Sequence, residues 1–214
     1  MSHWMLLSDG REHYLSGVDA LQNTYSLQSI AHHLAIINRF TGATSRPYSV
    51  AEHSLLCADI AEACSATLPA QLACLMHDAH EAFVGDASSP VKWALGDAWN
   101  AFEHPHAHAL RRHFGLQATF AGYRQQIKQI DLVALATERR DLLPFDAAQH
   151  RPWPILDTPG CEVHPVATSL STLKREQTHW TEWRELFIAR YESLTEQIAA
   201  AGLNTTARDA EASA

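Results

Sequence analysis

Four polar residues lie where the sequence otherwise indicates apolar helices: His53, the adjacent pair His77 and Asp78, and Asp131. An aspartate is rarely buried without a partner, because an unpaired carboxylate loses its hydration. One divalent cation would satisfy an imidazole and a carboxylate together, and ligands from neighbouring helices would complete a shell of two nitrogens and two oxygens. Such a set suits Mn, Co, Fe, Ni or Zn better than Ca, with Mg as a further option. From the spacing alone, a buried polar cluster without metal is an equally good interpretation.

Local signals place these residues on three helices. Ser49 and Glu52 have the spacing of a capping box, which predicts a helix from there to about residue 66. Pro69 suits the first turn of a second helix, which we expect to carry His77 and Asp78 and to end near 81–84, before a glycine. The pattern over 119–143 predicts a long helix that contains Asp131.

The rest of the chain completes an all-α helical bundle with a small N-terminal β-hairpin. An Asp-Gly pair predicts the hairpin turn, and a Pro-rich stretch without periodicity predicts a long surface loop. We expect residues 1–202 to form a single domain and 203–214 a disordered tail. The remaining predictions are strands at 4–7 and 11–15, helices from about 27 to 37, at 97–114 and at 176–201, and the loop at 144–175.

Composition narrows the class of protein. The formal charge is -8, with 16 basic against 24 acidic residues, which disfavours nucleic-acid polymers and anionic membranes as partners. No apolar run is long enough to cross a membrane. The 4 cysteines form no CxxC pair and predict free thiols in a reduced, cytoplasmic protein. The 14 histidines hint at metal binding without placing a site.

The amino-acid sequences that flank the four polar residues are more specific than the spacing of those residues. The stretches 48–54 (YSVAEHS), 75–82 (LMHDAHEA) and 131–142 (DLVALATERRDL) are the clearest. They resemble the HD-domain metal-dependent phosphohydrolases, in particular the 5'-deoxynucleotidase branch with its YfdR-like and, more distantly, YfbR-like groups. The resemblance is strong over residues 10 to 145 and weak in the final helix.

The resemblance implies that His53, His77, Asp78 and Asp131 bind one metal ion in an enzyme that hydrolyses (deoxy)nucleoside 5'-monophosphates. The ion would polarise a phosphoryl oxygen and activate a water molecule as the nucleophile. We expect Asp78 to be a catalytic residue as well as a metal ligand. Glu81 matches a glutamate important for catalysis and would exchange a proton with the water or the leaving 5'-oxygen. A solvated carboxylate at a helix end is the structural alternative for Glu81.

Four further positions match substrate contacts of the resembled family or supply a cation for phosphate. Arg39 and Lys92 would bind phosphate, although Arg39 could instead face the dipole of a helix end. Asp86 would contact the sugar hydroxyl or be an ordinary turn aspartate. Phe40 stands where the YfbR-like group has a tryptophan, which leaves the selectivity for 2'-deoxy sugars open.

Three other functions compete with this one. A triphosphohydrolase that releases tripolyphosphate from dNTPs would keep the same ligands. A cyclic-nucleotide phosphodiesterase would want a second metal, for which the histidines at 104–113 are the candidates. A non-catalytic module that binds nucleotide or metal is the alternative outside enzymes. By resemblance we also expect a homo-oligomer.

Overall fold

The computed structural model describes residues 2–203, so the predicted tail lies outside the described residues except for Leu203. The fold is an all-α bundle with one two-stranded antiparallel hairpin, as predicted. The strands are β1 (Trp4–Leu6) and β2 (Glu12–Tyr14), and two 3-10 turns occupy Val18–Gln22 and Arg39–Gly42. The helices are α1 (Leu27–Ile36), α2 (Val50–Ala63), α3 (Leu68–Met76), α4 (Glu81–Val84), α5 (Ser89–Leu95), α6 (Asp97–His113), α7 (Gln117–Gly122), α8 (Arg124–Leu142), α9 (Pro154–Asp157), α10 (Leu173–Gln177) and α11 (Trp180–Ala200).

Helix α2 is the centre of the bundle. It is buried on nearly all sides and packs against α1, α3, α8 and α11. Small residues such as Ala51, Ala58 and Ala61 are fully buried on α2 and let the neighbouring helices approach closely. A polar residue on such a helix must find its partner inside the protein, and His53 lies there. The largest fully buried side chains around α2 include Tyr48, Phe187, Ile30, Leu34, Leu56 and Leu72.

The hairpin follows its turn signal. Trp4 pairs with Tyr14 and Leu6 with Glu12, and the strands are joined through a turn at Gly10 with φ of 82°. Glycine tolerates this left-handed backbone at no steric cost. The strands are slightly shorter than expected, although Leu7 N still donates to Arg11 O at 2.9 Å and Leu15 N to His3 O at 2.7 Å.

Two helices that the sequence pattern predicts as continuous are interrupted. The predicted helix that begins near Pro69 stops at Met76, and a turn over 77–80 separates it from the four-residue α4. The predicted helix at 119–143 is likewise split into α7 and α8 at Tyr123. The apolar periodicity runs across both breaks, so the pattern did not reveal them.

Two other expectations were wrong in part. Ser49 caps α2 by accepting from the Glu52 backbone N–H at 3.2 Å, but the Glu52 carboxylate does not complete the capping box. It is buried and instead accepts from Arg46 and Arg175 at 2.7 and 2.8 Å. The final helix, expected over 176–201, begins only at Trp180, because Thr178 and His179 separate it from the five-residue α10.

None of the helices over residues 2–203 is both long and apolar enough to cross a membrane. All four cysteines are free; Cys57 and Cys74 are buried, while Cys64 and Cys161 are exposed.

Candidate metal centre and adjoining cavity

The structure brings the four predicted ligands together. The Nε2 atoms of His53 and His77 are 3.3 Å apart. One carboxylate oxygen of Asp78 lies 3.5 Å from His53 Nε2 and 3.1 Å from His77 Nε2. One oxygen of Asp131 lies 3.3 and 3.7 Å from the same two nitrogens. Residues from three separate elements thus present donor atoms to one point.

These separations fit a transition-metal ion. Donor atoms at about 2.1 Å from a common centre are about 3.0 Å apart in octahedral and about 3.4 Å apart in tetrahedral coordination. The five distances run from 3.1 to 3.7 Å. Two nitrogens with two carboxylate oxygens are also the chemistry expected for such an ion. The residues present therefore fit a divalent metal.

The far side of each imidazole is held by a hydrogen bond. His53 Nδ1 lies 2.5 Å from the Glu138 carboxylate, and His77 Nδ1 lies 2.7 Å from the Cys74 carbonyl oxygen. That carbonyl belongs to the last turn of α3, where backbone oxygens lack helical partners. Both contacts place the proton on Nδ1 and leave Nε2 free to coordinate, as metal-binding histidines require.

The break between α3 and α4 helps to bring the side chains of His77 and Asp78 together. Adjacent residues on a continuous helix point about 100° apart, which would separate the side chains of His77 and Asp78. Because the helix stops at Met76, Asp78 lies in the following turn and its oxygen reaches His77 Nε2. The physical reason for the interrupted helix is thus visible at the site.

Two residues near the cluster were not assigned a role from the sequence. Glu138 is fully buried. It follows Asp131 by seven residues, two turns of α8, and this spacing could have placed it on the ligand face. The sulfur of Cys57 lies 3.6 Å from His53 Nε2 and adds a thiol to the group able to hold a metal.

A cavity of about 1000 Å³ opens from the cluster. Asp78 and Asp131 line it, and so do all the predicted substrate and proton-transfer residues: Arg39, Phe40, Glu81, Asp86 and Lys92. Their convergence on one cavity is a placement that no helical pattern could give, because they come from four different segments of the chain.

Arg39 and Phe40 are presented by a closed loop between α1 and α2. Its ends are joined by backbone bonds from Arg39 N to Tyr48 O and from Val50 N to Ile37 O, at 2.9 and 3.0 Å. Arg39 is buried and pairs with Asp78 at 3.5 Å and Glu138 at 3.2 Å. Phe40 and Thr41 have φ of 56° and 54°, a left-handed backbone that is unusual for aromatic and β-branched residues. The surrounding fold therefore imposes the position of the Phe40 ring.

Glu81 is almost fully buried, and within the described part of the chain its Oε2 atom has no hydrogen-bond partner. Burial, with the negative charges of Asp78 and Asp86, raises the pKa of Glu81 well above its usual range. Lys92 Nζ is 3.6 Å from Glu81 and 2.8 Å from Glu103. Lys92 is thus already engaged by two carboxylates at the cavity wall rather than standing free for phosphate.

Several other histidines, including those at 104–113, lie outside the group of four ligands. His80 contacts Glu103 at 3.3 Å and does not join the four ligands. His33 accepts from Ser8 N at 3.1 Å and lies 2.8 Å from the Ala82 carbonyl, and His32 packs on Trp180. His104, His108 and His113 are exposed. Over residues 2–203 they belong neither to the group around His53 nor to a second group able to hold a metal, which consists of His80, Glu81 and Glu103.

The fold and the site define an all-α protein with a buried cluster of His, Cys and Asp residues that could hold a metal ion. No family model matches the chain. It is 36% identical to the uncharacterized protein YfdR of Escherichia coli K12 over 143 residues, 65% of this chain and 72% of YfdR. It is 32% identical to an uncharacterized protein of Rhodobacter capsulatus over 151 residues, 68% of this chain and 76% of that protein. The chain belongs to the same family as these two proteins.

Proposed function

We propose that the chain is a phosphohydrolase that removes the 5'-phosphate from deoxynucleoside monophosphates with the help of one divalent metal. The observation that carries this proposal is the placement of a buried arginine and of a buried carboxyl with one unpartnered oxygen on the cavity that adjoins the four ligands. The four free cysteines support a reducing compartment, and we place the enzyme in the cytoplasm.

His53, His77, Asp78 and Asp131 would hold the metal, which we expect to be Mn, Co, Fe, Ni or Zn. When bound it would supply Lewis acidity for the phosphoryl group and make a water molecule more acidic. Arg39 is our candidate to orient phosphate oxygens, because it lies beside Asp78 and lines the cavity.

Glu81 is the candidate for proton transfer. Its Oε2 atom faces no protein donor among the described residues, and its side chain lines the cavity beside the ligands. Burial, with the charges of Asp78 and Asp86, raises the pKa of Glu81 and so favours its protonated form, from which Glu81 would donate a proton to the leaving 5'-oxygen. Asp86 lines the same cavity and would accept a hydrogen bond from a sugar hydroxyl.

The test is phosphate release from a panel of dNMPs, NMPs and dNTPs, with each divalent metal in turn and with products identified. We expect inorganic phosphate from dNMPs, which His77→Ala and Asp78→Ala abolish. Glu81→Gln should bind metal as the parent protein does and lose at least about a hundredfold in kcat. Tripolyphosphate from dNTPs would replace our proposal with the triphosphohydrolase, and tight nucleotide binding without any turnover would replace it with the non-catalytic module.

A further inference from the structure

The cavity extends well beyond the metal ligands. Asp131, Leu135 and Leu143 all line it, so it follows α8 from the cluster to the end of the helix, a path of about 18 Å at the rise of an α-helix. A phosphate group at the ligands would fill only one end. The remaining length needs an occupant of its own.

Aromatic side chains line the rest of the cavity. Phe145, His150 and Trp153 come from the segment 144–155 that follows α8, and Trp93 comes from α5. Trp93 lines the cavity and is 65% exposed, so its indole is accessible to a ligand there. The His150 imidazole already stacks on Phe145, with centroids 5.6 Å apart and planes 28° apart. Phe145 is thus already stacked with a flat nitrogen heterocycle of the segment itself, and a base would take the place of this imidazole.

The segment lacks regular structure apart from α9, but ion pairing fixes it to α8. Arg139 donates two hydrogen bonds to the Asp157 carboxylate at 2.6 and 2.7 Å, and Asp157 also accepts from Trp153 N at 2.6 Å. The Arg139 guanidinium lies 4.5 Å from the centroid of Phe145 and 5.3 Å from that of Trp153. Both rings are thus held in place before any ligand arrives, which lowers the entropy cost of binding.

We infer that the segment 144–155, together with Trp93, is the subsite for the nucleobase and selects nucleotides over bare sugar phosphates. The inference rests on the proposed function and names the part of the substrate that fills the distal cavity. Stacking on an aromatic face uses the area of the base rather than its edge, so it tolerates different bases and favours purines. Arg139 acts as a positioning residue, because it holds the two rings without having to touch the ligand.

The experiment measures equilibrium binding by calorimetry to manganese-loaded protein in a Glu81→Gln background, with dAMP, dCMP and 2-deoxyribose 5-phosphate as ligands. We expect dAMP to bind at least about tenfold more tightly than the sugar phosphate, with dCMP between them. Phe145→Ala should remove most of this difference and leave the affinity for 2-deoxyribose 5-phosphate unchanged. Phe145→Tyr should restore it, and Trp4→Ala, an exposed aromatic on β1 outside the cavity, should change nothing.

Equal affinity for all three ligands overturns the inference, and so does a Phe145→Ala variant that weakens all three alike. Phosphate release by the parent protein is measured in parallel. If release occurs while Phe145→Ala leaves the selectivity intact, the base subsite is wrong and the proposed function stands. If no phosphate is released but the selective binding and its loss are observed, the proposed reaction is wrong and the subsite stands.

Discussion

Replacement of Glu138 by glutamine tests whether the metal centre depends on the residue behind His53. The carboxylate uses one oxygen for His53 Nδ1 at 2.5 Å and the other for Arg39 Nη2 at 3.2 Å. Burial opposes ionisation, but Arg39 and His53 lower the pKa of Glu138, so the residue is charged. A glutamine has a single acceptor oxygen, so its amide group must face either the imidazole or the guanidinium donor to donor.

The loss of this support should weaken metal binding by about 10- to 100-fold, or about 1.4 to 2.7 kcal/mol. Isothermal titration with manganese, cobalt and zinc measures the change directly. Glu52→Gln is the matched control, because Glu52 is equally buried and also paired with arginines but lies outside the cluster. It should lower the melting temperature without changing metal affinity. Parent-like affinity in Glu138→Gln, or an equal loss in Glu52→Gln, would refute the reasoning.

Three further predictions follow from features away from this residue. A metal at a hundred times its dissociation constant should stabilise the fold by about 2.7 kcal/mol, raising the melting temperature by roughly 5 to 10 °C, and His77→Ala should abolish the rise in a thermal-shift assay. Two thiols, Cys64 and Cys161, should react with a thiol reagent in the native protein, and four should react after denaturation. Burial raises the pKa of the Cys74 thiol to about 12, so a third fast-reacting thiol in the native protein would contradict the burial of Cys57 and Cys74. Burial, with His106 and His33, lowers the pKa of His13 to about 4. As the pH falls below about 6.5, the unfolded chain therefore binds a proton at His13 while the folded protein does not. The free energy of unfolding should drop by about 1 to 2 kcal/mol by pH 5, and urea unfolding should show a smaller loss in His13→Phe.

Local chemistry made parts of the fold predictable. The Asp-Gly turn, the Ser49 cap and the proline in the first turn of α3 each act over a few residues, and each is present in the structure. The interruption after Met76 was missed, because a turn that serves tertiary contacts need not disturb the apolar period around it. Its effect appears only in the assembled site, where the oxygen of Asp78 reaches His77 Nε2.

The same distinction holds at the site. Residue types and spacing were enough to select His53, His77, Asp78 and Asp131 as a group, since each is costly to bury alone. The pairing of His53 with Glu138 joins positions 85 residues apart, which no local pattern reports. The contact of Arg139 with Asp157, which fixes the aromatic segment, was missed for a related reason: the two residues are 18 positions apart.

The origin of the ligands in three separate elements has a consequence for the order of folding. α2, the turn after α3 and α8 must all dock before the donor atoms meet, and closing such long loops is slow compared with forming the helices themselves. Metal affinity is therefore a property that the chain gains last. An ion in the surroundings would leave the early, partly assembled states alone and act only on the finished bundle, slowing its unfolding rather than guiding its formation.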